Sequence, residues 1–168
     1  MIILLSVLSM ACCSRAQDFF AGARSGLSFH DGGQTFYQTE AFAGVNLARH
    51  WNLSTNWYFQ PGGDISAGGL TDGTATGFIG TIEPTISLHR ADFPLSLEIG
   101  VGPTLISRYH FGGKDFGDNF QITSQAQLNW QLTKRFSLGG RVQHMSNAHL
   151  ATHNPGLNMV MLTAGFRF

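Results

Sequence analysis

His144 and Ser146 stand two residues apart within residues 141–158, RVQHMSNAHLATHNPGLN, a stretch that also holds an Asn-rich turn and sets Asn158 at the start of the final apolar run. In a β-strand, residues i and i+2 point to one face, roughly 6–7 Å apart along the chain. A histidine and a serine so placed reach hydrogen-bonding distance when their rotamers converge, the minimum for a serine nucleophile with a histidine base. Such spacing also arises without chemical meaning. The pair gains weight only from the face it occupies, and the strands decide that.

The chain is written in period-two alternation, interrupted by Gly, Asp, Asn and Pro clusters. Leu53, Thr55, Trp57 and Phe59 alternate with Asn52, Ser54, Asn56 and Tyr58. Phe78, Ile82, Ile86 and Leu88 are set against Thr81, Glu83, Thr85 and Ser87, and Leu95, Leu97, Ile99 and Val101 against Ser96, Glu98, Gly100 and Gly102. Ile122, Ala126, Leu128 and Trp130 alternate with Gln121, Thr123, Gln125, Gln127 and Asn129. These are two-faced strands. Eight are expected, over residues 19–30, 35–48, 51–60, 75–89, 94–109, 119–133, 135–147 and 157–168. Gly- and Asp-rich segments 61–74 and 110–118 are expected as long loops after the third and fifth.

Composition narrows the class. Charged residues make up only 12% of the chain, Gly numbers 21, and the formal net charge is zero, which gives no electrostatic reason to expect a nucleic-acid partner. No run after the N-terminus approaches the length of an apolar membrane helix. Residues 1–16 (MIILLSVLSMACCSRA) have the pattern of a secretory signal peptide, cleaved after Ala16, although the positive n-region is missing. Acylation at Cys12 or Cys13 is the rival reading of that segment. Residues 17–168 then form one exported domain with no cysteine after Cys13.

An exported chain of eight alternating strands fits an all-β, eight-stranded antiparallel transmembrane β-barrel of the bacterial outer membrane. A soluble sandwich would also alternate. Gln, Asn and Thr on the second face suit a polar lumen better, and the aromatic ending Phe166-Arg167-Phe168 resembles the C-terminal signal of outer-membrane barrels. The lumen would collect Arg24, Glu40, Glu83, Glu98, Arg141 and Arg167 as a charge-balanced network, because unpaired charge in a confined interior is costly. Eight strands leave an interior filled by side chains, without a pore.

On this parity His144 and Ser146 continue the lipid-facing stripe of Phe136, Leu138, Gly140 and Val142, opposite Arg141 and Gln143. Asn158 shares the lipid-facing parity of Val160, Leu162, Ala164, Phe166 and Phe168. With both termini periplasmic, the connection between the last two strands is extracellular and the three polar residues lie beside the outer leaflet. A hydrolytic centre there could meet a lipid's ester bonds without extracting the lipid.

HMSNAHL followed by NPGLN closely resembles the signature of the outer-membrane lipid A 3-O-deacylases (PagL type), eight-stranded barrels with the active site on the exterior wall. The resemblance implies hydrolysis of the 3-linked acyl ester of lipid A, with release of a hydroxy fatty acid. It makes Ser146 the nucleophile and His144 the general base, with Asn147 and Asn154 where the family places groups that help bind the oxyanion. Asn158 stands where the best-known family form has a glutamate orienting the histidine; its carbonyl can still accept the His144 N–H. His149 stands where glycine is usual.

His144, His149 and His153 could suggest a metal, but zinc needs three or four converging ligands, and the segment offers no neighbouring Asp, Glu or Cys. Neither metal nor other cofactor is expected. The expected partners are lipopolysaccharide as substrate and the outer membrane itself, with a homodimer kept as a candidate assembly. The rival functions are a non-catalytic adhesion or structural barrel, and a phospholipase using the same site.

Overall fold

A computed structural model describes residues 17–29 and 33–168, so the expected signal peptide lies outside the described residues. Eight long strands follow one another: β1 (Asp18–Ser28), β2 (Tyr37–Asn46), β3 (Trp57–Thr71), β4 (Thr76–Arg90), β5 (Leu95–Ile106), β6 (Phe120–Gln131), β7 (Phe136–Ser146) and β8 (Leu157–Arg167). Each pairs antiparallel with its chain neighbours. The pairing of β1 with β8, Phe20 opposite Arg167 through Ser28 opposite Met159, closes the barrel. Closure leaves no edge strand to template aggregation. Both described chain ends lie at one end, here called the base; residues 147–156 belong to the opposite end, the rim.

The third strand corrects the sequence expectation. Residues 61–71, expected in a long loop, continue β3, and only residues 72–75 turn. Residues 51–56 instead belong to the connection at the base, where Trp51–Asn52 folds back on Tyr58 and Phe59. Glycine here serves close packing rather than turning. A Cβ on Gly68 would sit 2.0 Å from the Thr39 carbonyl oxygen, and one on Gly62 would sit 2.8 Å from that of Val45. Turn composition and the composition of a tightly curved wall are the same residues. The base connection at 47–56 therefore outspans the rim turn at 72–75, where a long loop over 61–74 is expected from the sequence.

Extending β3 turns inward Asp64, a carboxylate within the segment 61–74 expected as a loop. Arg24 pairs with Glu40, its register partner, and its Nη2 lies 3.2 Å from Asp64 Oδ1. Arg141 donates to both oxygens of Glu83, at 2.8 and 3.1 Å. Gln143 accepts from Arg141 Nε and donates to Gln38, which donates to Glu40, so one chain of hydrogen bonds joins the two arginines across the lumen. The expected balance of three arginines and three glutamates is not what forms. Arg167 sits at the base near Asp18 and Gln131, while Glu98 accepts from the neutral groups Ser87 and Gln125.

Toward the rim the lumen is filled by an apolar plug: Phe36, Leu70, Ile79, Ile106, Phe111, Phe116, Met145, Leu157, Met159 and Met161. A cavity of about 260 Å³ lies toward the base, among residues such as Tyr58, His89, Asn129 and Arg167.

Glu83→Gln should destabilise the barrel by about 3–5 kcal/mol, because it leaves the Arg141 guanidinium buried without its counter-charge. Urea unfolding in lipid vesicles measures this, and the double change Glu83→Met with Arg141→Met should lie much closer to wild type.

Candidate active site

Outward and inward residues alternate along β7 to its last residue. Arg141, Gln143 and Met145 are buried, whereas Val142 and His144 are exposed and Ser146 is half-buried. On β8, Met159 and Met161 point in while Val160 and Leu162 point out. Register then decides which outward residues are neighbours. His144 stands opposite Asn158 on β8 and opposite Ser124 on β6. Ser124 went unnoticed in the sequence, although its parity with Ile122, Ala126 and Leu128 marks it as outward. The Phe29 N–H donates to the Asn158 carbonyl at 3.0 Å, extending the β1–β8 ladder to the site.

His144 Nδ1 lies 2.8 Å from Asn158 Oδ1. An amide oxygen only accepts, so this contact selects the tautomer with the proton on Nδ1 and leaves the Nε2 lone pair available as a base. Gly156 makes room for the ring. A Cβ there would meet His144 Cε1 at 2.8 Å, and φ is +65°, a backbone conformation glycine adopts without cost. Continuing the β7–β8 register sets Gly156 opposite Ser146, so the free edge of the imidazole faces the end of the strand that carries the serine. Ser146 shares that face but makes no side-chain hydrogen bond among the described residues. Catalytic hydrogen bonds commonly tighten only once substrate is bound.

The connection 147–156 carries the two asparagines, and they differ. Asn147 is fully buried. Its Nδ2 donates to the carbonyls of Phe116 at 2.8 Å and His153 at 2.6 Å, and its Oδ1 accepts the His149 N–H at 3.0 Å. Every polar atom of that side chain is spent within the loop or on the neighbouring connection that carries Phe116, so it organises the loop rather than facing outward. Asn154 Oδ1 accepts the Asn147 backbone N–H at 3.0 Å, and its Nδ2 has one long contact of 3.3 Å, to His149 Nδ1. Ala148 and His149 both take positive φ, 51° and 63°. Consecutive left-handed residues other than glycine are strained, and such strain gathers at functional sites.

His149 and His153 are exposed loop residues, and a carboxylate from another connection lies near the second of them. Asp115, from the β5–β6 connection, lies 2.9 Å from His110 Nε2 and 3.8 Å from His153 Nδ1. A carboxylate does therefore approach His153, from a segment 38 residues away in the chain (153 minus 115).

A closed eight-stranded barrel bearing a His–Asn pair and a serine on its outer wall belongs to the class of outer-membrane barrels with a lipid-facing polar site. The model of the lipid A 3-O-deacylase (PagL) family matches residues 19–167, and the chain belongs to that family. It is 28% identical over 174 residues to the lipid A deacylase PagL of Bordetella bronchiseptica, covering 96% of this chain and 92% of that protein. Its fold is that of the crystal structure of the outer membrane enzyme PagL, with TM-score 0.67 at 18% identity, covering 89% of this chain and 98% of that one. The N-terminal β-barrel domain of Pseudomonas aeruginosa OprF is also similar in fold, with TM-score 0.56 at 12% identity, covering 90% and 97%. The chain is thus an outer-membrane β-barrel.

His149 holds a left-handed conformation that costs a non-glycine residue about 1–2 kcal/mol. His149→Gly should therefore stabilise the loop by about 1 kcal/mol, seen as slower amide exchange across residues 147–150. Faster exchange would mean that the ring contact with Asn154 outweighs the strain.

Proposed function

We propose that this protein hydrolyses the 3-linked acyl ester of lipid A in the outer leaflet, releasing a hydroxy fatty acid, with Ser146 as nucleophile and His144 as general base. The observation that carries the reading is the 2.8 Å His144–Asn158 hydrogen bond. It selects the tautomer with a free Nε2 lone pair, on the outward face of β7 that Ser146 shares. A polar pair serves no packing purpose on that surface, where lipid disfavours polar residues.

In this mechanism Ser146 Oγ attacks the ester carbonyl while its proton passes to His144 Nε2. The tetrahedral intermediate collapses, the sugar oxygen leaves with the proton from His144, and an acyl-serine remains. Water, deprotonated by the same nitrogen, then attacks the acyl group, and the fatty acid departs as Ser146 regains its proton. Asn154 is assigned to the developing oxyanion, because its Nδ2 donor is held only by a long contact. Asn147 contributes by fixing the loop that carries Asn154. Preorganised donors are often the largest electrostatic contribution in acyl transfer. Outward Val142, Val160, Leu162 and Leu128, all about half exposed or more, offer an apolar wall for acyl chains.

Mass spectrometry of lipid A from cells producing the wild-type chain or Ser146→Ala tests the reading. The expected outcome is loss of one hydroxyacyl chain with wild type alone. Intact lipid A beside altered phospholipid would reassign the site to another ester, and activity in Ser146→Ala would remove the serine from its role.

Asn158 orients the imidazole but cannot stabilise imidazolium by charge. Asn158→Asp keeps the shape and adds the charge, and is expected to raise kcat by about tenfold or more at a small cost in barrel stability. An unchanged rate would show that proton transfer does not limit turnover.

A further inference from the structure

The Gly- and Asp-rich connection 107–119 reaches from β5 to the far side of the active-site loop. Its short hairpin pairs His110–Phe111 with Lys114–Asp115. Phe116, 1% exposed, is anchored in the plug with edge-on ring contacts to Phe36 at 5.7 Å and Phe111 at 6.1 Å. Its N–H donates to the Tyr109 carbonyl at 2.8 Å. Gln121 braces the same backbone by donating to the Asp118 carbonyl at 2.7 Å.

From that anchor the backbone grips the loop after Ser146. The Phe116 carbonyl accepts one hydrogen of Asn147 Nδ2, whose other hydrogen goes to the His153 carbonyl. Gly117, at φ +81°, lies so close that a Cβ would fall 2.2 Å from the His153 carbonyl oxygen, 2.8 Å from Asn147 Nδ2 and 3.1 Å from Ala151 Cβ. Asp115 caps the arrangement by accepting the Gly117 N–H at 2.8 Å and facing His153. The strand exit at Asn147 and the return at His153, next to Asn154, are thus held at a fixed separation by one carbonyl and one missing side chain.

We propose that Phe116 and Gly117 are positioning residues for deacylation, setting the active-site loop so that Asn154 reaches the oxyanion. This rests on the assignment of Ser146 and His144 above. A misplacement of about 1 Å is enough to cost on the order of 100-fold in rate.

The test uses the full-length barrel in detergent micelles with lipid A, counting only folded protein by heat-modifiable electrophoretic mobility. Gly117→Ala forces the loop outward, and Phe116→Ala removes the anchor while leaving the Gly117 contact intact. Both should lower kcat by about 10- to 100-fold with KM little changed, and both should speed amide exchange across residues 147–153. Wild-type kcat in either folded variant overturns the proposal, as does a fall in kcat with unchanged exchange in the loop. An inactive wild type, or an active Ser146→Ala, would instead bring down the catalytic assignment beneath it.

Discussion

The buried pairing of Arg141 with Glu83 is the interaction on which the outer surface depends. Facing in a β-strand is all or nothing: a slip of one residue in β7 would carry every side chain to the opposite face. Such a slip would put Arg141 into lipid and His144 into the lumen. An arginine in the hydrocarbon costs several kcal/mol, so the inward guanidinium, bonded to both Glu83 oxygens, pins the strand. His144 and Ser146 face lipid because Arg141, Gln143 and Met145 cannot. The network continuing through Gln143 and Gln38 to Glu40 and Arg24 fixes the facing of β1, β2 and β7 together.

Rigidity then passes upward from charge to hydrocarbon. Above the network the aromatic and methionine plug closes the lumen, and Phe116 within it ties the β5–β6 connection to the wall. The 147–156 loop has little apolar contact of its own, its Leu150 standing exposed. It is ordered instead by an exhausted asparagine, two left-handed residues and a glycine at each close approach. A lipid-facing centre has no cleft walls to hold it, so its geometry must come from the strands beneath and from loops braced against each other.

Asn158 is intelligible in this setting. A carboxylate would stabilise imidazolium, but in free protein it would be an ionised group beside the acyl region of the membrane, where charge is disfavoured. The amide keeps the hydrogen bond that selects the tautomer and avoids that cost. On the proposed mechanism, rate is exchanged for a site that sits more easily in lipid.

The fold class, the number of strands, the outward parity of His144, Ser146 and Asn158, and the inward parity of Arg24, Glu40, Glu83, Glu98 and Arg141 were all legible in the chain. Alternation is a local property of the backbone, so each strand declares its two faces by itself. The resemblance of HMSNAHL and NPGLN to a known family added the chemistry proposed for them. Other features were settled only by tertiary structure: the true extent of β3, the inward turn of Asp64, Ser124 beside His144, the inward-turned Asn147, and Asp115 beside His153. Glycine and aspartate make turns and also line tightly packed walls, and nothing local separates the two uses. Neighbours across the barrel and contacts between loops are set by register and closure, which join residues far apart in the chain.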